Sequence, residues 1–267
     1  MAAALVLLAV LLFRPCLWAQ VSKDPPPTFS SDSIVNSANG SAASLTPNVL
    51  ATLYGSALAR SVGAVSLRDI GASQLPTTLA GVRIKVGGIF APLYYVSPTQ
   101  INFVIPSNLL LGETDLTVYR EGVEAPAVQI NLLDVAPGLF QAGGGRVAAT
   151  HANGSLISPD APARPGEIIV VYGTGLGRTI PGQVDGQIPR AAASMRLFDR
   201  LRILLDGQIQ PAESIYYAGI TPGYPGLYQV NLQLPDPITK LDPELRIAVD
   251  DQISQGALAL SAGPADP

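Results

Sequence analysis

Cysteine and histidine are almost absent from this chain, whose 267 residues include one of each, Cys16 and His151. A single cysteine forms no internal disulfide, so hydrophobic cores must supply the stability. One thiolate and one imidazole cannot furnish a zinc site built on those ligands. A Ser-His-Asp relay would have to use His151, yet no G-x-S-x-G elbow is present: Ser56 has Tyr54 and Leu58 where the glycines belong. His151 also stands two residues before Asn153-Gly154, a hairpin-turn pair, which points to a structural or solvent-facing role. Charge is scarce at 13% of residues, the formal net charge is −4, and Lys and Arg are nowhere clustered. That balance argues against nucleic acid or an anionic membrane surface as partner.

Long hydrophobic runs are lacking too. Residues 2–12 form an unbroken apolar run that Arg14 and Pro15 stop well short of the roughly 20 residues a spanning helix needs. The run resembles the hydrophobic region of a signal peptide covering residues 1–19, with cleavage ahead of Gln20. No Lys or Arg precedes it and Leu17 occupies a position where a smaller residue is usual, so a retained N-terminal anchor is the alternative. Cys16 follows Arg14-Pro15 and not the small and apolar residues of a lipobox. The expected location is exported: extracellular, periplasmic or cell-surface. Any membrane contact is expected only through an uncleaved N-terminus.

Glycine (26) and proline (24) are abundant, and 48% of residues are hydrophobic, a combination suited to short strands joined by tight turns around a real core. The second half of the chain echoes the first, in order. Asn39-Gly40-Ser41 recurs as Asn153-Gly154-Ser155, and Leu53-Tyr54-Gly55-Ser56-Ala57-Leu58 as Val171-Tyr172-Gly173-Thr174-Gly175-Leu176. Val82–Val86 recurs as Leu201–Leu205, Tyr94-Tyr95 as Tyr216-Tyr217, and Gln100–Pro106 as Gln229–Pro235. Ordered matches of this kind imply an internal duplication. Within the matches, Val82, Ile84 and Val86 alternate with Arg83 and Lys85, and Val230, Leu232 and Leu234 with Gln229, Asn231 and Gln233. Such period-two alternation marks half-buried antiparallel strands. Further strands are expected at Thr114–Arg120, Val128–Leu133, Glu167–Tyr172, Leu245–Val249 and Ala257–Ser261, and the best helix candidate is Ala191–Leu201, with a loop as alternative. The expected fold is all-β: two tandem immunoglobulin-like β-sandwich domains, residues 29–138 and 139–267, after a flexible Pro-rich spacer at 20–28.

Several strings carry a family resemblance. Pro165-Gly166-Glu167 leads into Tyr172-Gly173-Thr174-Gly175-Leu176-Gly177; then come Tyr216-Tyr217-Ala218-Gly219 and Pro222-Gly223-Tyr224-Pro225-Gly226-Leu227-Tyr228-Gln229-Val230-Asn231, with Tyr94–Phe103 in the first half. The chain resembles, over roughly residues 30–262, the uncharacterised C-terminal repeat family of acidobacterial (Solibacter-type) secreted proteins. It departs from that pattern at Pro47-Asn48-Val49, where the family tends to have Pro-Gly-Glu, and at Ala57, where it tends to have Gly. The resemblance implies export and an Ig-like or IPT/TIG-like sandwich, and it supplies no catalytic residues.

The remaining motifs are ambiguous. The glycines after Glu167–Tyr172 superficially suggest a dinucleotide turn, but Arg178-Thr179-Ile180-Pro181-Gly182 follows where a helix would have to hold the pyrophosphate. Turns needing positive φ explain them more simply. Asp185, Asp199, Asp206, Asp250 and Asp251 form no D-x-D-x-D-G loop, which leaves weak calcium binding open and selects no glycosidase pair. No cofactor is expected. The doubled tyrosines and amide pairs, Tyr94, Tyr95, Gln100, Asn102, Tyr216, Tyr217, Gln229 and Asn231, are the candidate ligand contacts, since rings stack on sugars and amides bond to hydroxyls. Their plainer role is a polar outer face with tyrosines packed at a sandwich edge or domain interface. The long loops Ser56–Ala80 and Thr174–Arg200 occupy equivalent places and are better candidates for a contact surface. The expected function is a non-catalytic exported module for adhesion, scaffolding or protein contacts, its partner an extracellular protein or polysaccharide. The alternatives are a carbohydrate-binding module and, third, an extracellular hydrolase.

Overall fold

The computed structural model describes residues 25–43, 45–66 and 73–263. The signal-peptide and anchor expectations lie outside the described residues, as does the spacer up to residue 24. Among the described residues no helix is long and apolar enough to cross a membrane.

The chain is all-β, folded as two antiparallel sandwich units. The first contains β1 (Ile34–Asn36), β2 (Leu50–Tyr54), β3 (Gly63–Ala64), β4 (Val82–Val86), β5 (Ile89–Phe90), β6 (Leu93–Val96), β7 (Gln100–Val104), β8 (Gly112–Arg120), β9 (Val123–Glu124) and β10 (Val128–Leu132). Its two sheets run β1-β2-β7-β6-β3 and β10-β8-β4-β5, with β9 beside β8. The second unit contains β11 (Gly138–Leu139), β12 (Gln141–Gly143), β13 (Arg146–Val147), β14 (Ala149–His151), β15 (Ile168–Thr174), β16 (Thr179–Ile180), β17 (Ala193–Met195), β18 (Leu201–Leu205), β19 (Gln208–Ile209), β20 (Ile215–Ile220), β21 (Tyr228–Gln233), β22 (Leu245–Val249) and β23 (Gln252–Ile253). Its main sheets run β11-β15-β21-β20-β17-β16, with β14 also on β15, and β19-β18-β22-β23.

Alternation in the sequence becomes alternation of burial. Val82, Ile84 and Val86 are buried with Phe103 and Leu116 in one core; Leu201, Ile203 and Leu205 join Tyr228, Val230 and Leu232 in the other. The cores divide between Leu132 and Val135, so Val135 and Ala136, which precede the expected boundary, lie with the second unit or against it. The strand registers correspond position by position. Tyr54 faces Gln100 as Tyr172 faces Gln229, and Leu50 faces Val104 as Ile168 faces Gln233. Val86 faces Leu116 as Leu205 faces Leu245.

Three expectations are corrected locally. Ala191–Leu201 is neither helix nor plain loop: it holds β17 and a 3-10 turn at Phe198–Arg200, because Ala193 and Ser194 find ladder partners in Ile220 and Gly219. Ala257–Ser261 makes only isolated bridges, among them Ala259 with Glu244. Residues 25–28 are anchored although only Pro27 among them is buried: Thr28 exchanges backbone bonds with Ser56 at 3.0 and 2.9 Å, and the Pro25 carbonyl accepts a bond from Arg120 at 2.8 Å.

Two non-glycine residues of the first unit, Asn48 and Ala57, stand where the backbone is left-handed. Asn48 has φ +66° and Ala57 +53°, while their second-unit equivalents, Gly166 and Gly175, have +72° and +79°. Asn tolerates this region but Ala does so at a cost of about 1–2 kcal/mol. Replacing Ala57 by Gly removes that strain and adds about 0.5–1 kcal/mol of unfolded-state entropy. Ala57→Gly should therefore stabilise the first unit by up to about 1 kcal/mol, read as a higher urea midpoint at unchanged slope.

Candidate functional site

The doubled tyrosines mark a β-bulge repeated in both units. In β6 both Leu93 and Val96 point into the core, and in β20 both Ile215 and Ala218 do, a spacing of three that a regular strand cannot supply. The register slips between Leu93 and Tyr95 and again between Ile215 and Tyr217. An extra residue thus turns two successive tyrosines outward. Period-two reading missed this, although the apolar spacing of three was its visible signal.

The outward tyrosines differ in use. Tyr94 donates its hydroxyl to the Pro225 carbonyl at 2.9 Å, across to the other unit, and burial holds its ionisation well above the ordinary tyrosine range, with Tyr224 adding to the effect. Tyr217 seals a strand edge: its hydroxyl donates to the Ile220 carbonyl at 2.8 Å and receives the Ala193 amide at 3.1 Å. Burial likewise raises its pKa. Tyr216 is 58% exposed and bonds Gln233 at 2.9 Å. Tyr95 lies opposite Asn102, as Tyr217 lies opposite Asn231.

The amides pair within each strand. Gln100 Nε2 donates to Asn102 Oδ1 at 2.8 Å, and Gln229 Nε2 to Asn231 Oδ1 at 3.0 Å. Each pair lies on the outer face between tyrosines of the flanking strands: Tyr54, 49% exposed, with Tyr95 in one unit, and Tyr172 with Tyr217 in the other. The candidate residues therefore divide into an outer polar patch on each unit and an inter-unit contact at Tyr94.

The long loops meet each other. Leu75 N donates to Gly186 O at 2.7 Å, Ile188 N donates to Ser73 O at 3.0 Å, and Gln74 bridges Gln187 in antiparallel fashion. Asp185 receives the Ser107 amide at 2.6 Å, while the Ser107 hydroxyl donates to Gln183 O at 2.8 Å. Arg178 spans to the carbonyls of Ser107 and Leu109. Thr174 is completely buried; its hydroxyl accepts from Leu50 N at 3.0 Å and donates to Gly226 O at 2.7 Å. The glycines around it permit close approach, since a Cβ on Gly175 would lie 2.2 Å from the Ala136 carbonyl. The turn that superficially suggested a nucleotide site is a docking turn.

Other reactive groups are engaged structurally. His151 Nδ1 contacts Glu167 at 2.5 Å and its Nε2 faces the Ala161 carbonyl at 3.3 Å, so both ring nitrogens face acceptors. Asp206 binds Lys240 at 2.8 Å and the Glu244 amide at 3.0 Å, and the ammonium partner lowers its pKa. Asp250 pairs with Arg200 at 3.0 Å. Among the described residues no group of three or more His, Cys, Asp or Glu side chains is arranged to hold a metal.

Thr174→Val keeps the shape but removes the cross-unit bond from Leu50 N and the bond to Gly226 O within the second unit, stranding an amide and a carbonyl at about 1–3 kcal/mol each. Hydrogen exchange at the Leu50 amide should accelerate by at least about tenfold, while amides in β4 and β18 stay protected.

No family model matches the chain, and no curated protein matches its sequence. Solved structures similar to it include SGBP-B of the Bacteroides ovatus mixed-linkage glucan utilization locus, in complex with a mixed-linkage heptasaccharide, at 13% identity and TM-score 0.31 over 83% of this chain and 43% of that one. SGBP-B from a complex xyloglucan utilization locus in Bacteroides uniformis is similar at 8% identity and TM-score 0.27, over 89% and 50%. Domains 5–6 of the S-layer protein SbsC are similar at 10% identity and TM-score 0.26, over 90% and 100%. The chain spans about half the length of the two glucan-locus proteins or less.

Proposed function

We propose that this chain is a non-catalytic, exported scaffold: two copies of one Ig-like unit joined into a stiff spacer for adhesion or protein contacts at the cell surface. The observation that carries this reading is the lock between units. Backbone, hydroxyl and guanidinium bonds spread over several segments tie the second unit to the first, from Thr174 and Tyr94 to the paired loops. Groups that hydrolysis would recruit are held in structural bonds: His151 by Glu167, Asp185 by Ser107, Asp250 by Arg200. The apolar run at residues 2–12 supports export, as does the resemblance to acidobacterial secreted repeat proteins.

A second reading, sugar binding, is favoured by one feature. The Gln–Asn pairs recur on the outer face of both units, and Tyr54 beside Gln100 leaves half its surface open to stack on a sugar ring. Affinity electrophoresis through a panel of plant and microbial polysaccharides, with a reducing-end assay on the same panel, separates these readings. The scaffold reading expects no retardation and no new reducing ends. Retardation abolished by Tyr54→Ala with Gln100→Ala would establish the second reading, and released reducing ends would contradict both.

A further inference from the structure

The position-by-position correspondence of the two units reveals an asymmetry between their ends. Asn36 and His151 are equivalent: they lie opposite Ala51 and Ile169 and open the same turn, donating to Ser41 O at 3.0 Å and Ser155 O at 2.9 Å. Leu50 corresponds to Ile168, Tyr94 to Tyr216, and Ser107 to Asp236, each of the last two following the proline that ends the β7 or β21 motif.

In the first unit these positions receive the second. Asn36 Nδ2 donates to the Ala136 carbonyl at 3.4 Å, Leu50 N to Thr174, Tyr94 to Pro225, and Ser107 binds Arg178, Gln183 and Asp185. Gly226 presses on Leu50 and Val104 so closely that a Cβ would come within 3.0 and 3.2 Å of them. In the second unit the same end is an open cleft of about 1440 Å³, lined by His151, Arg164, Glu167, Asp236 and Leu241 among others. Ile168 is 40% exposed and Tyr216 58% exposed at that end.

We propose that this cleft is the docking end of the second unit, and that it receives the first unit of a second copy of the chain, head to tail. The proposal rests on the scaffold reading and names its partner. The first unit carries equivalents of the parts with which the second one docks: Ser56 stands for Thr174 and Arg60 for Arg178. The incoming chain crosses both in the same way, Thr28 on Ser56 and Gly138 on Thr174. The cleft is lined by three acids, Asp160, Glu167 and Asp236, against one guanidinium, Arg164, a balance that favours an incoming cation. Arg178 reaches the carbonyl of Ser107, and the equivalent of Ser107 in the cleft is the acid Asp236, with Asp160 and Glu167 nearby. Arg60, which pairs with Glu121 at 2.6 Å within one chain, is the cation placed to meet it. Such an interface is heterologous and does not close on itself, so copies add in line.

Sedimentation velocity on the chain over roughly 10 µM to 1 mM tests this, the range in which modest interfaces associate. The wild type should form dimers and longer species as concentration rises. Ile168→Glu or Tyr216→Glu, both solvent-facing in a single copy, should block the cleft end and raise the apparent Kd at least about tenfold. Arg60→Glu should do the same from the other end. Mixing Ile168→Glu with Arg60→Glu should restore a 1:1 dimer and nothing longer, because each variant keeps one intact end. A wild type that stays monomeric throughout, association that survives both blocks, or a mixture that fails to pair would overturn the proposal. Protection of the Leu50 amide reports the lock inside one chain and should be unchanged in every variant, so failure to associate is distinguishable from failure of the scaffold reading.

Discussion

The arrangement depends on one buried hydroxyl. Thr174 ends β15, where the second unit meets the first, and a single oxygen there serves Leu50 N of one unit and Gly226 O of the other. A backbone amide and carbonyl buried at a junction must find partners or cost about 1–3 kcal/mol each. Serving both with one side chain brings the two backbones close, and that closeness requires glycine beside it: Gly175 lies against Ala136, and Gly226 against Leu50. The remaining contacts build outward from this point through Arg178, Ser107 and the paired loops.

An interface made of backbone groups and polar side chains differs from one made of apolar area. Its strength lies in geometry, since every bond fixes a direction. The proposed spacer role requires two sandwiches joined in this way to keep one relative orientation. The polar patches of Gln100 and Gln229 face outward and take no part in the lock, so any ligand they bind would be carried at a fixed separation.

The strands were legible in the sequence because a half-buried strand alternates, and Val82–Val86 and Gln229–Leu234 alternate without interruption. The bulges were not, because Tyr94-Tyr95 and Tyr216-Tyr217 break the period, and a doubled tyrosine suggests a binding surface as readily as a change of phase. The docking role of Thr174, Ser107 and Asp185 was illegible for a different reason. Thr, Ser, Gly and Asp are turn residues in any loop, and nothing local distinguishes a turn facing water from one facing another unit. The long loops were marked as contact surfaces by their length alone, and they contact each other. The anchoring of residues 25–28 escaped notice because a Pro-rich string carries no periodicity, although Thr28 repeats on Ser56 the crossing that Gly138 makes on Thr174.

As a scaffold, the two units must behave as one rigid body. Residual dipolar couplings measured for backbone amides of both units in a weakly aligned sample test it most directly. Couplings from β2, β4 and β7 and those from β15, β18 and β21 should fit one alignment tensor of common magnitude and orientation. Two tensors of different magnitude, the signature of units reorienting independently, would contradict it.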